Sequence, residues 1–425
     1  MPEPTREPPS RKAPAEEPFI LAAMLSLLGA TVWMALRPEL LLQFFYSAEH
    51  LALVHLLTLG FLTALIMGVL LRVSPQALGV GPASRRLSLA QAGFFLLGAS
   101  GMVTHFALGE WFGLATAAPL VLLAALLQCV NFRSVFARAV RGELPALHVS
   151  AALLHLVLAA SLGLAYACLH AWGLGFGTAS TPLLARLGAH LLLAAGGWVA
   201  GMVLGLQLAL LPSTAAPRTL PWLRLALLQL GLLGGATCLL AGLPGLPLAL
   251  GAVALAVGLQ LLGPLVELPR QRHALGEIVA LGLLLLAAVA AGAAALDLPA
   301  DQDLRLRVLH AAGYALLVGF GPLTVASTSS RLFPQWVWDE RFAADAGRRP
   351  VPPVSALASP RLRNAAVLLL LLGTGATSSG IVLQHERAVG FGTWVVVAGA
   401  VLFVTGFART ASWALLAREW RGSRE

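Results

Sequence analysis

A chain of 425 residues that is 58% hydrophobic and 11% charged lies outside the composition of soluble globular domains. Its net charge of +9 does not point to nucleic acid, because the arginines sit in loops between apolar runs, where they set membrane orientation. Cys129, Cys168 and Cys238 fall in separate apolar runs with no CxxC pair, which argues against both a disulfide framework and a cysteine zinc site.

Taken in order, residues 1–18 are polar and Pro-rich and read as a short disordered cytoplasmic tail, with no small-residue cleavage site of a signal peptide. Residues 19–417 then carry twelve apolar runs, each near the ~20 residues that cross a bilayer. The predicted helices begin near Phe19, Leu51, Leu87, Phe112, Leu147, Leu183, Leu223, Leu246, Leu275, Val308, Ala365 and Thr393. The longest connection, 333–363, reads as a polar loop rich in Pro and Arg, and 418–425 as a second cytoplasmic tail. The expected fold class is an all-α polytopic membrane protein whose main partner is the lipid bilayer; its oligomeric state is not encoded legibly.

Arginine and lysine alternate between the two sets of loops. Arg6, Arg11 and Lys12 precede helix 1; Arg85 and Arg86 follow helix 2; Arg133, Arg138 and Arg141 follow helix 4. Arg218 and Arg224 follow helix 6, Arg270 and Arg272 follow helix 8, and five arginines lie between helices 10 and 11. The positive-inside rule therefore predicts cytoplasmic N- and C-termini, as in a bacterial inner membrane. It also predicts that even-numbered helices run inward, so that His50, His55, His190 and His310 sit at their outer ends. His105, His170 and His385 close odd-numbered helices on the same side. Seven of the ten histidines thus gather at one face, while His148 and His273 lie at the other and His155 lies part-way along helix 5.

Helices 2, 6 and 10 share a pattern. Gly60-Phe61, Gly197-Trp198 and Gly319-Phe320 each lie fifteen residues before a proline, Pro75, Pro212 and Pro334. Their spacing suggests three quasi-repeated four-helix units, with a period too long for a solenoid. Gly60, Ala64 and Gly68, like Gly197, Gly201 and Gly205, form a stripe of small residues that admits either a neighbouring helix or a flat cofactor.

Intramembrane histidine is costly unless it faces the bundle interior with a partner, and neutral imidazole suits iron, copper and zinc. A hydrolytic zinc site would need a carboxylate base, and none lies near these histidines within the spans. Haem iron needs only one or two axial histidines from facing helices. His55, His310 and His190 are the candidate metal ligands, and His155 is a further cofactor-binding candidate. His50 is turned roughly 140° from His55 on a regular helix and reads as interfacial. In a frame set by the Gly-to-Pro spacing, His55 and His310 point within about 40° of each other while His190 points elsewhere. That favours His55 and His310 as a pair.

The motif HLxxLGF…MGVLLRVSP at 55–75, with AHLLLAAGGWVAGMVLGL…LLP at 189–212, resembles the catalytic subunit of haem–copper oxidases. The similarity is nearest to divergent relatives of the cbb3-type and nitric-oxide-reductase branch, and extends to the NnrS family of haem-containing membrane proteins. The resemblance implies a haem cofactor on His55 and His310, copper as a second candidate metal, and a respiratory-type oxidoreductase supplied by a cytochrome or quinol donor. The expected function is electron transfer or the handling of nitric oxide or another diatomic gas. The chain departs from the family pattern: helix 7 has no His pair, helix 10 has only His310, and helix 6 has His190 with no following histidine or cross-linkable Tyr. A competing reading is a twelve-helix secondary transporter with structural histidines, in which Pro322 would break helix 10 near mid-membrane.

Overall fold

A computed structural model describes residues 15–174, 181–210, 219–267, 275–348 and 350–422. Among them the chain is helical throughout, with no strand. Twelve helices are long and apolar enough to cross a membrane. Spans 1 to 4 are Glu17–Leu36, Ala48–Leu78, Arg85–Leu108 and Trp111–Asn131; spans 5 to 8 are Leu144–Trp172, Leu183–Leu210, Leu220–Ala241 and Leu246–Val266; spans 9 to 12 are Leu275–Ala295, Gln302–Arg341, Pro360–Leu383 and Glu386–Trp413.

The helix ends follow local chemistry. Ser47, Ser84 and Ser359 cap spans 2, 3 and 11 by accepting the amide of the third residue on. Gly79, Gly109, Gly173 and Gly242 end spans 2, 3, 5 and 7 in left-handed backbone, where a Cβ would clash with the chain. Between spans 4 and 5 the basic segment Arg133–Val140 forms a short helix of its own.

Several predicted boundaries move. Span 10 continues to Arg341, so the first part of 333–363 is helix and not loop. Pro75 and Pro334 lie inside their helices and not beyond them, as a proline can where the surrounding bundle supplies the missing hydrogen bond. Span 12 begins at Glu386 and its helix runs on to Gly422, through most of the expected C-terminal tail. Span 10 is also unbroken at Pro322, so the discontinuous helix expected of the transporter reading is not formed there. Residues 1–14, Pro212, Arg218, Arg270, Arg272 and His273 lie outside the described residues.

Spans 2, 6 and 10 differ from the others in one respect. Each contains a π-helical segment, Leu56–Thr63, Leu192–Ala200 and Ala315–Phe320, and each segment contains the Gly-aromatic pair. A π turn inserts a residue relative to α geometry and is common at functional sites. The segment of span 2 packs against those of both spans 6 and 10. Phe61, Trp198 and Phe320 are among the largest fully buried side chains, and Trp198 Nε1 donates to Thr63 Oγ1 at 3.0 Å. The centre of the bundle is therefore the meeting point of three wound-out turns.

The small-residue stripes serve helix packing. A Cβ at Gly60 would stand 2.6 Å from Ser26 Oγ and one at Gly68 3.0 Å from Phe19 Cβ, both on span 1. A Cβ at Gly197 would meet the His155 ring, and one at Gly205 would lie 2.7 Å from His148 Cβ, both on span 5. The same device joins spans 11 and 12, where a Cβ at Gly373 would lie 2.7 Å from the Val396 amide nitrogen. Close backbone approach is how membrane helices gain packing energy when lipid and side chain are equally apolar.

Candidate functional site

A cavity of about 560 Å³ occupies the histidine-rich half of the bundle, a volume suited to a cofactor or drug-sized ligand. Its walls come from spans 1 to 10 and are predominantly apolar. His50, His55, His170, His190 and His310 all reach it, as do Phe106, Trp111, Tyr46 and Arg186. The glycines of the two stripes do not. The cofactor contact considered for those stripes is thus replaced by contact with spans 1 and 5.

His55 closes the α-helical turn immediately before the π segment of span 2. Its Nδ1 lies 2.7 Å from the Leu51 carbonyl, which fixes that nitrogen as the proton-bearing donor and leaves the Nε2 lone pair available. A ring N–H held by a backbone carbonyl is the arrangement that orients metal-ligating histidines. The ring stacks on Phe106 with centroids 4.4 Å apart and planes tilted by 28°. His190, on span 6, lines the same cavity as His55, and its buried Nδ1 has no hydrogen-bond partner.

His310 sits on the α-helical part of span 10, just ahead of the π segment at Ala315–Phe320. Its Nε2 is buried without a partner. The imidazole beside it is that of His50, edge-on with centroids 4.9 Å apart. His50 is 5% exposed and its Nδ1 lies 3.2 Å from the Leu40 carbonyl. It is therefore a buried member of the site and not the interfacial residue expected from the sequence.

The angular comparison between His55, His190 and His310 does not survive the structure. Each histidine is separated from its glycine by a π segment, so regular α-helical arithmetic over those intervals fails. The structure instead packs His50 against His310 and His55 against Phe106, with His190 elsewhere on the wall of the same cavity.

His155 stands apart from that cavity. Its Nε2 donates to Gln229 Oε1 at 2.8 Å, bridging spans 5 and 7, and its ring fills the space that Gly197 leaves open. His148 is buried against Gly205, His105 packs on Gly113, and His385 accepts the Ala388 amide at an exposed helix start. None of these four lines the cavity.

The mouth of the cavity is aromatic and ordered. His170 stacks on Trp111 with centroids 4.4 Å apart. Its Nδ1–H donates to the Tyr166 carbonyl at 2.8 Å, so Nε2 accepts from the Tyr46 hydroxyl at 3.0 Å. Burial pushes the Tyr46 phenol up from its ordinary value, so it stays a proton donor at neutral pH. This aromatic collar was not legible beforehand, since Tyr46, Trp111 and His170 come from three separate segments with no shared motif.

Among the described residues, no three His, Cys, Asp or Glu side chains converge on one point that could hold a metal ion. The donor set offers single imidazoles, or pairs of them, facing an apolar space. No protein-family model and no curated protein matches the chain.

Proposed function

We propose that this protein is a haem-binding integral membrane protein whose cofactor occupies the histidine-lined cavity. The observation that carries the reading is the pair of open imidazole nitrogens on its walls. His55 presents Nε2 because Leu51 holds its Nδ1, and His310 presents a buried Nε2 that no protein group satisfies. A buried polar atom left unpaired costs about 1–3 kcal/mol, a cost that ligation would remove. The donor set also fits: a haem takes one or two neutral imidazoles and needs no carboxylate, whereas a multi-histidine copper centre needs a convergence of ligands that the described residues do not supply.

On this reading His55 and His310 would hold the iron, both together for electron transfer or one alone where a gas is to bind, with His50 packed against His310. The haem, when bound, supplies one-electron chemistry or a site for a diatomic gas such as nitric oxide. The protein's own part is to orient and to exclude water. Leu51 and Leu40 carbonyls fix the tautomers of His55 and His50, Phe106 supplies a flat apolar face, and the linked Trp111, His170 and Tyr46 side chains form part of the wall. Arginine placement supports cytoplasmic termini in a bacterial inner membrane, with the cavity opening toward the outer face. An electron donor there would be a cytochrome or a quinol.

The test is a reduced-minus-oxidised visible spectrum of the protein purified from haem-replete membranes. A Soret band is expected, reduced or shifted in His55→Ala and in His310→Ala and unchanged in His155→Ala. A folded preparation with no band would refute haem binding; a band indifferent to both substitutions would refute the ligand assignment. Carbon monoxide difference spectra then distinguish an open axial position from a filled one.

A further inference from the structure

Arg186 lies in the first turn of span 6 and lines the same cavity. Its Nε and Nη1 are both buried, and neither has a hydrogen-bond partner. Among the described residues no carboxylate pairs with it. Its one cationic contact is with a ring, the guanidinium carbon standing 5.8 Å from the centre of Tyr166, and the Tyr166 hydroxyl donates to the Arg186 carbonyl at 3.0 Å.

This arrangement is energetically incomplete. Arginine cannot relieve burial by losing its proton, and two guanidinium N–H groups that are buried and unpaired carry a desolvation cost in a half-buried side chain. A cation–π contact offsets a fraction of that cost. An acceptor carried by a ligand in the cavity would satisfy the two buried N–H groups and balance the charge. The surroundings specify its carrier: the guanidinium opens onto a cavity walled by Leu, Ala, Phe106 and Trp111, which admits a flat or extended apolar body far better than a small hydrated ion.

We propose that Arg186 is the anchor for a carboxylate carried on an otherwise apolar ligand of the cavity. The ligand lies along the aromatic and aliphatic walls with its acid group at the outer end of span 6. The anchor sets the orientation of the ligand by placing its single charged end beside Tyr166 and its body toward the histidines. The proposal deepens the haem reading, and rests on it only where the ligand is a porphyrin acid.

The experiment compares acids with their esters on the full-length protein in nanodiscs. Iron protoporphyrin IX is titrated against its dimethyl ester by Soret absorbance, and cis-parinaric acid against its methyl ester by fluorescence, in wild type, Arg186→Leu and Arg186→Lys. In wild type the acid is expected to bind about tenfold or more tightly than the ester, as charge-assisted hydrogen bonds imply. Arg186→Leu should abolish the preference and Arg186→Lys should keep part of it. If the leucine variant does not fold, the wild-type ratio and the lysine variant still decide. Acid preference with parinaric acid but no porphyrin binding would leave the anchor standing and remove the haem reading. Equal affinity for acid and ester in both series, acid preference that survives Arg186→Leu, or no binding of either acid would overturn the proposal.

Discussion

The hydrogen bond from Trp198 to Thr63 is the most direct handle on the centre of the bundle, because it ties the π segment of span 6 to that of span 2. Both side chains are nearly inaccessible, at 1% and 2% exposure, and the bond is 3.0 Å long. Thr63→Val keeps the branched shape and removes the acceptor, leaving an indole N–H in apolar surroundings. The full penalty for such an orphan is about 1–3 kcal/mol. Interhelical hydrogen bonds in membranes yield less, about 0.6 kcal/mol on average, because the unfolded chain in lipid also finds partners. We therefore expect Thr63→Val to destabilise the fold by about 1 kcal/mol. Trp198→Phe should cost about 2 kcal/mol or more, since it adds a void to the lost donor. The double variant should show a coupling of about 0.6 kcal/mol. Unfolding in mixed micelles, followed by circular dichroism, measures all three. A coupling below about 0.3 kcal/mol, the level of independent sites, would refute the idea that this bond pins the two π turns together.

Three other expectations are accessible to the same assay. Gly197→Ala should cost about 2 kcal/mol, because its Cβ would fall 2.6 Å from His155 Nδ1 in a ring held by Gln229, whereas Gly201→Ala meets only ordinary contacts and should be tolerated. Gly373→Ala sets a methyl 2.7 Å from the Val396 amide and should cost about 1–3 kcal/mol; Gly375→Ala, with nothing nearby, should be neutral or slightly stabilising, and equal effects would contradict the packing of spans 11 and 12. Glu16 lies 3.8 Å from Arg72, yet burial outweighs that partner and raises its carboxyl above the ordinary value. A carboxyl that holds its proton more tightly when folded favours folding at low pH and opposes it as pH climbs from about 4.5 through the folded value. Glu16→Gln should therefore stabilise modestly, by under about 1 kcal/mol, at pH 7.5 and make little difference at pH 4. A loss of stability at pH 7.5 would show that the Arg72 pairing outweighs burial.

The sequence alone determined the class and the number of spans, because hydropathy over about 20 residues is a local quantity, and the placement of arginine carried the expectation that histidines collect toward one face. It also marked spans 2, 6 and 10 by their Gly-aromatic pairs, and the structure gives those pairs a common physical feature in the three π segments. What hydropathy could not deliver was rotation about each helix axis. Every π turn resets the register, so the direction of His55, His190 and His310 relative to their glycines could not be computed from a regular helix. Only the folded bundle placed His50 against His310, turned His155 toward Gln229, and put the glycine stripes against spans 1 and 5. Arg186 reads in the sequence as one more arginine near a span end. Its meaning depends on burial, and burial is settled by which helices surround it.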